Sequence, residues 1–340
     1  MGNYNATAYS LGSLSVIFSL LLGCGGGDAQ NDMNGAGTIK PSQPSNPSIV
    51  PKPPVLPNEP VITDAVYQDQ PNIANCKTGT LSEATKQNMV KPLNLIRSLH
   101  GLDSVSYDYE HDQEVMQAAL IMSANKKLDH APSSSWKCYS QMGYAGAERS
   151  NLYIEGGTAL NNNHIAALQN DLTAWLIDTG VESLGHRRWL LNPFLAQIAY
   201  GSVAGKVDGQ SIRSSALRVS YSGPARGFAK QDVIAYPMGD YPKQYFQQGA
   251  YLSVSILADQ SRLSANTLVD FSKAIITIKP RGGVSKSPTQ ISSNNQGMGL
   301  PNHLQFKAGQ LQENVIYDVH LENVLINNVL RSYDYWFRLQ

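Results

Sequence analysis

The chain has 340 residues, with 26 Lys plus Arg balancing 26 Asp plus Glu for a formal net charge of zero. That balance, with no basic run, excludes an electrostatic nucleic-acid binder and a polybasic membrane-surface segment. The length allows about two domains of roughly 150 residues, and with only 15% of residues charged the surface is polar through Ser, Asn, Gln and Tyr.

Residues 11–22 (LGSLSVIFSLLL) form the strongly apolar run. It is shorter than the roughly 20 residues a spanning helix needs and matches the apolar centre of a secretion signal. Leu21-Leu22-Gly23-Cys24 follows and resembles the bacterial lipobox, whose cysteine is cleaved and lipidated. Residues 1–10 carry no Lys or Arg, a departure from the usual positive start. The expectation is a lipoprotein signal over 1–24, lipid on Cys24, and an extracytoplasmic protein whose membrane partner is reached through that anchor. Gly25 follows the cysteine, with no Asp there, which favours the outer membrane or cell surface in a host that has an outer membrane.

Residues 25–75 read as a disordered linker rich in Gly, Asn, Ser and Pro. Pro41, Pro44, Pro47, Pro51, Pro53, Pro54, Pro57 and Pro60 favour an extended chain of about 60 Å, at roughly 3.1 Å per residue. With Cys24 lipidated, Cys76 and Cys138 remain as an even pair in an oxidising compartment. Two readings stand: a bridge closing a loop of about 60 residues, worth about 4 kcal/mol, or two buried thiols.

Order is expected from Cys76. Thr80 and Glu83 have capping-box spacing, and Met89, Leu93, Ile96 and Leu99 recur at helical intervals. Pro92 marks a kink and Gly101 an end. A second helix begins near Asp112, its face of Val115, Ala118, Ala119 and Met122 small enough for a close neighbour. A Gly-rich polar loop leads to a third helix, His164 to Asp178, with Leu168, Leu172 and Trp175 on its core face. Trp189 to Leu191 is a short apolar stretch closed by Asn192-Pro193. Trp136, Trp175 and Trp189 read as core. From about residue 195 the pattern alternates, through Ile198 and Tyr200 and then Leu217, Val219 and Tyr221. Gly223 to Gln248 reads as a connector. Tyr251–Leu257, Ala274–Ile278, Val315–Leu321 and Tyr333–Leu339 then read as strands of an antiparallel sandwich, with a turn-rich 281–301 between them. A fragment ending near Tyr221 is expected to fold alone.

The sequence carries no Gly-x-Ser-x-Gly elbow, no phosphate-cradling loop, no His-Glu-x-x-His and no Cys-x-x-Cys. It does carry LNLIRSLHGL (93–102), LDHAPSSSWKCYS (128–140), RSNL (149–152), Trp175-Leu176-Ile177-Asp178 and GHRRWLLNP (185–193) in that order. Together these resemble the CAP superfamily: cysteine-rich secretory proteins, antigen 5 and pathogenesis-related 1 proteins, also called SCP domains. The match is closest to bacterial extracytoplasmic members and covers about residues 81–222. The resemblance implies a CAP-type α-β-α sandwich at 76–222; with the all-β, sandwich-like domain that the alternating pattern gives for 223–340, the fold class is α+β. It also implies a cleft with two histidines and two acids that holds zinc or a similar ion in some members. By motif these are His130, His186 and Asp178. The second acid would open a Glu-Asn-Leu string, and this chain has Ser150-Asn151-Leu152 there.

His130, Asp178 and His186 are thus the expected metal set, with Ser150 and Asn151 lining the cleft and any zinc held weakly for want of a carboxylate. Glu148 and Glu155 are the neighbouring acids off the motif. At least one of Arg187 and Arg188 is read as a structural partner of Asp178 or Glu182. No catalytic nucleophile is identified. The preferred reading is a surface lipoprotein binding a lipid, glycan, peptide or host surface in that cleft, with no nucleic-acid partner. The alternative is a hydrolase activating water on a metal held by the same three residues.

Overall fold

The computed structural model describes residues 65–157, 164–221 and 229–340; Cys24, the lipobox-like string and the Pro-rich stretch lie outside them. None of the described helices is long and apolar enough to cross a membrane. The fold begins earlier than the sequence pattern indicated. Strand β1 (Tyr67–Asp69) pairs antiparallel with β2 (Thr80–Leu81), burying Tyr67 and Ile73, so residues 67–75 belong to the folded body and not to the linker. Cys76 and Cys138 are bonded, with Cα atoms 5.2 Å apart, which fastens this segment to the loop beyond the second helix.

Helix α1 (Glu83–Leu99) is capped by Ser82, whose Oγ accepts the Thr85 N–H at 3.2 Å, two residues later than the Thr80 cap expected. It runs on through Pro92 without a break. Near its end Arg97 is fully buried and donates to the carbonyls of Asp103, Leu190, Asn192 and Leu195; burial pushes its pKa down to about 10. Strand β3 (Ser106–Tyr107) leads to α2 (Asp112–Asn125). The stretch read as a Gly-rich loop holds α3 (Gln141–Glu148) and strand β4 (Ser150–Gly157). Its glycines are packing devices: a Cβ on Gly146 would lie 2.3 Å from the Glu114 carbonyl oxygen of α2. The small face of α2 receives α3 on one side and the sheet on the other, in a cluster of Val115, Ala118, Ile121, Ala147, Leu152 and Ala216.

Helices α4 (His164–Ile177) and α5 (Gly185–Leu190) precede β5 (Gln197–Val207) and β6 (Gln210–Arg218). The sheet order is β3-β5-β6-β4, antiparallel except for β3–β5. Across it, buried Asp171 accepts both Arg213 guanidinium nitrogens (2.9 and 2.6 Å), the Ser215 hydroxyl and the Tyr200 hydroxyl. That carboxylate holds Arg213 charged, well above its ordinary pKa, despite burial.

The remaining chain is all strand: β7 (Val233–Tyr236), β8 (Gly239–Tyr241), β9 (Leu252–Ile256), β10 (Ile275–Pro280), β11 (Thr289–Asn294), β12 (His303–Lys307), β13 (Ile316–Ile326) and β14 (Val329–Leu339). They form two four-stranded sheets, β10-β13-β14-β8 and β11-β12-β9-β7. The supposed connector 223–248 therefore supplies β7 and β8, an edge strand of each sheet. β11 lies within the supposed turn region 281–301. It is exposed on both faces, so it had no alternation to read, and pairing with β12 defines it. Asn327 and Asn328, at φ 50° and 63°, make the two-residue turn between β13 and β14, as a tight hairpin requires.

One buried apolar cluster runs through both halves, taking in Leu190 and Ile198 with Ile234, Tyr236 and Leu252. Polar groups lock the junction. Arg187, 1% exposed, donates to the carbonyls of Leu176, Ile177 and Tyr251 and to Ser253 Oγ, and its guanidinium lies 3.8 Å from the Tyr236 ring centroid. Arg188, 0% exposed, donates to Asn294 Oδ1 (3.0 Å) and Leu300 O (2.8 Å), and burial pushes its pKa down to about 10. Neither guanidinium pairs with a carboxylate among the described residues, so the expected pairing with Asp178 or Glu182 is replaced by neutral oxygens, mostly of the β region. His100 is buried between Ala235 O (2.7 Å) and the Tyr241 hydroxyl (3.2 Å). Gly299 closes the contact: at φ +78°, a Cβ there would meet Arg188 O at 2.6 Å.

Hydrogen bonds to charged groups contribute about 1.5–3 kcal/mol each, and stranding a buried charge costs about 3–5 kcal/mol. Cutting the chain after Tyr221 strips acceptors from Arg187 and Arg188 together. The fragment is now expected to show no cooperative unfolding transition in scanning calorimetry, in contrast to the full chain. A single sharp transition in the fragment would restore the reading of an independent domain.

Candidate functional site

The site is assembled where α4 gives way to α5. Asp178 caps the end of α4, its N–H donating to Ala174 O at 2.8 Å, and its φ of 56° is the left-handed conformation that Asp tolerates better than most residues. This turn sends the carboxylate back to the start of α5. Leu184, the residue before that helix, offers no side-chain cap. Asp178 fills the role instead: Oδ2 accepts the Arg187 N–H at 3.2 Å and Oδ1 accepts His186 Nδ1–H at 2.7 Å. A carboxylate at a helix N-terminus satisfies free N–H groups and faces the positive end of the dipole.

His130 comes from the loop after α2, and its Nδ1 donates to Ala147 O, near the end of α3, at 2.9 Å. Burial lowers its pKa below the ordinary value, and the nearby His186 lowers it further. Because both Nδ1 atoms carry the proton in these bonds, both Nε2 atoms present lone pairs. Neither Nε2 has a partner among the described residues. Asn151, 1% exposed, donates from Nδ2 to the His186 carbonyl at 3.1 Å and so holds α5 against β4.

Asp178 stands behind His186 rather than beside it, with both oxygens engaged. His130, Asp178 and His186 do not form a set of three close ligand atoms. Among the described residues the one such set, with atoms mutually within 4.8 Å, is Asp108, Glu110 and His111, which sequence reasoning passed over. There Asp108 accepts His111 Nδ1, Gln197 Nε2 and the Glu110 N–H, an arrangement a sequence shows only as a turn. Ser150 is buried and its hydroxyl has no partner; strand alternation puts it on the face of Leu152, toward α2 and α3. Glu148 is exposed, and Glu155 accepts Arg213 Nε at 2.6 Å.

The β region supplies one wall nearby. A depression of about 290 Å³ runs from Asp178 and Glu182 to Gln247, Tyr251 and Lys307. The Lys307 ammonium lies 3.9 Å from the Tyr251 ring centroid, and partial burial lowers its pKa.

The profile of the Cysteine-rich secretory protein family, CAP, matches residues 90–211. Over these residues, about a third of the chain, the sequence is similar to the CAP superfamily. The matched segment includes His130, Ser150, Asn151, Asp178 and His186, and it stops short of the all-β region. Similar solved structures include a 1.5 Å crystal structure of an extracellular protein containing an SCP domain from Bacillus anthracis str. Ames, 18% identical, with a TM-score of 0.23 over 41% of this chain and 45% of that one. The chain thus spans less than half the length of that protein. No curated protein gives a match. Ser150 stands where the resemblance implied a second acid, and Asp178 serves as a helix cap.

A nuclear magnetic resonance titration checks the geometry of the two imidazoles. His130 is expected to titrate below the ordinary histidine value of about 6.5, and in His186→Ala its midpoint should rise, because one of the lowering influences is gone. A midpoint unmoved by that substitution would place the rings too far apart to share a ligand.

Proposed function

We propose that the chain is an extracytoplasmic CAP-domain protein, tethered through lipid on Cys24, that binds a ligand in the cleft between His130 and His186. The observation that carries this reading is the pair of imidazoles, each locked by its Nδ1 and each offering an unpartnered Nε2. Such a pair accepts hydrogen bonds from hydroxyl or amide groups of a lipid headgroup, glycan or peptide. Burial of His130 favours its neutral form, which keeps its Nε2 an acceptor.

Zinc fits the donor set in part. His130 Nε2 and His186 Nε2 would be its protein ligands, and a catalytic zinc has three. Bound there, zinc would supply a Lewis acid; the residues themselves orient it, Asp178 through His186 and Ala147 through His130. The shortage of ligands, together with the absence of an identified nucleophile or oxyanion donor, supports binding over hydrolysis as the main activity.

Zinc titration of the purified chain by calorimetry tests this. Weak binding, lost in both His130→Ala and His186→Ala, is the expected result. Tight one-to-one zinc accompanied by zinc-dependent hydrolysis of peptides or esters would overturn the binding reading in favour of a metal-dependent hydrolase. The anchor has its own test: metabolic labelling with palmitate should mark the protein and fail to mark Cys24→Ser.

A further inference from the structure

A second cleft, of about 600 Å³, lies between the C-terminal side of α5, the starts and ends of β5 and β6, and the Ser261–Ser264 loop. It shares no lining residue with the depression at Asp178. We infer that this cleft binds an uncharged, hydroxyl-rich ligand, a segment of a glycan chain. The decisive group is Asn192. It is 5% exposed and lines the cleft. Its Oδ1 holds the Phe194 N–H at 3.0 Å, while its Nδ2 donors have no acceptor among the described residues. Unlike the fully enclosed Ser150 hydroxyl, this donor opens to the cleft, where a ligand oxygen can accept from it.

The rest of the wall fits the same chemistry. Trp189 and Tyr221 line the cleft and are only partly buried, giving aromatic surface of the kind that packs against sugar rings. Gln197 adds an amide, fixed by its bond to Asp108, and Ser220 and Ser264 add hydroxyls. Among the described residues Arg262 is the only charged one on the wall, and Asp259 already pairs with it, at 2.6 Å from Nη2 and 2.7 Å from Nε. Among the described residues the wall thus offers no unpaired charge to an acidic sugar or a peptide terminus. Its walls are element ends and loops, not an open strand edge along which a peptide would pair its main chain.

The test is an array of neutral oligosaccharides, acidic oligosaccharides and short peptides probed with the full chain, then calorimetry on the strongest soluble binder. The expected result is signal confined to neutral oligosaccharides, weakened at least tenfold in Ser264→Trp, which fills the cleft from its exposed wall, and in Asn192→Leu. An unchanged thermal midpoint in Ser264→Trp shows that the fold survives. No neutral oligosaccharide bound, a preference for acidic glycans or peptides, or full binding by a folded Ser264→Trp would each overturn the inference. The imidazole cleft is untouched by Ser264→Trp, so failure here leaves the reading of that cleft standing.

Discussion

Two consecutive guanidinium groups without a carboxylate hold this molecule in one piece. Arg187 and Arg188 are buried at consecutive positions of a six-residue helix, and the oxygens that satisfy them come largely from strands and loops of the β region. A buried cation that leans on neutral oxygens tolerates little displacement, since each lost acceptor leaves charge in a low-dielectric interior. The aromatic face of Tyr236 over Arg187 adds a contact that favours a cation. The helix is thereby fixed in rotation and in depth.

That fixing reaches the candidate site directly, because His186 is the neighbour of Arg187. The Asp178 carboxylate bonds the His186 ring and the Arg187 backbone at once, so the orientation of the imidazole and the seating of the guanidinium are set by the same short segment. Asn151 then ties the His186 carbonyl to β4. The cleft is built on a helix end clamped from three directions, which is how a loop-borne group acquires a defined position.

The helices and the principal strands were legible from periodicity, and the ordered CAP-like strings pointed to His130, Asp178 and His186. What stayed hidden was local in pattern and distant in cause. β11 has the single aliphatic Ile291 among polar residues and exists because β12 lies beside it. β7 and β8 are only four and three residues long, too short for alternation to register above the Gly and Pro around them. The role of Asp178 as a cap, and of the arginines as bolts rather than ion-pair partners, depends on a left-handed turn and on oxygens 64 to 112 residues away, which spacing does not encode. The small face of α2 was readable as a demand for a close neighbour; that Gly146 supplies it was not.

Gly299 sits where α5 and the β region touch most closely, and its consequence is one of inheritance. The backbone of one element lies against the backbone of the other with no room for a side chain between them, and Arg188 bonds the very next residue of that loop. A junction of this kind is not a hinge between interchangeable parts. The two regions are matched at the level of main-chain atoms, so the helix that carries His186 and the extension that shelters it change together, and either one transplanted alone would arrive without the half of the joint that defines its shape.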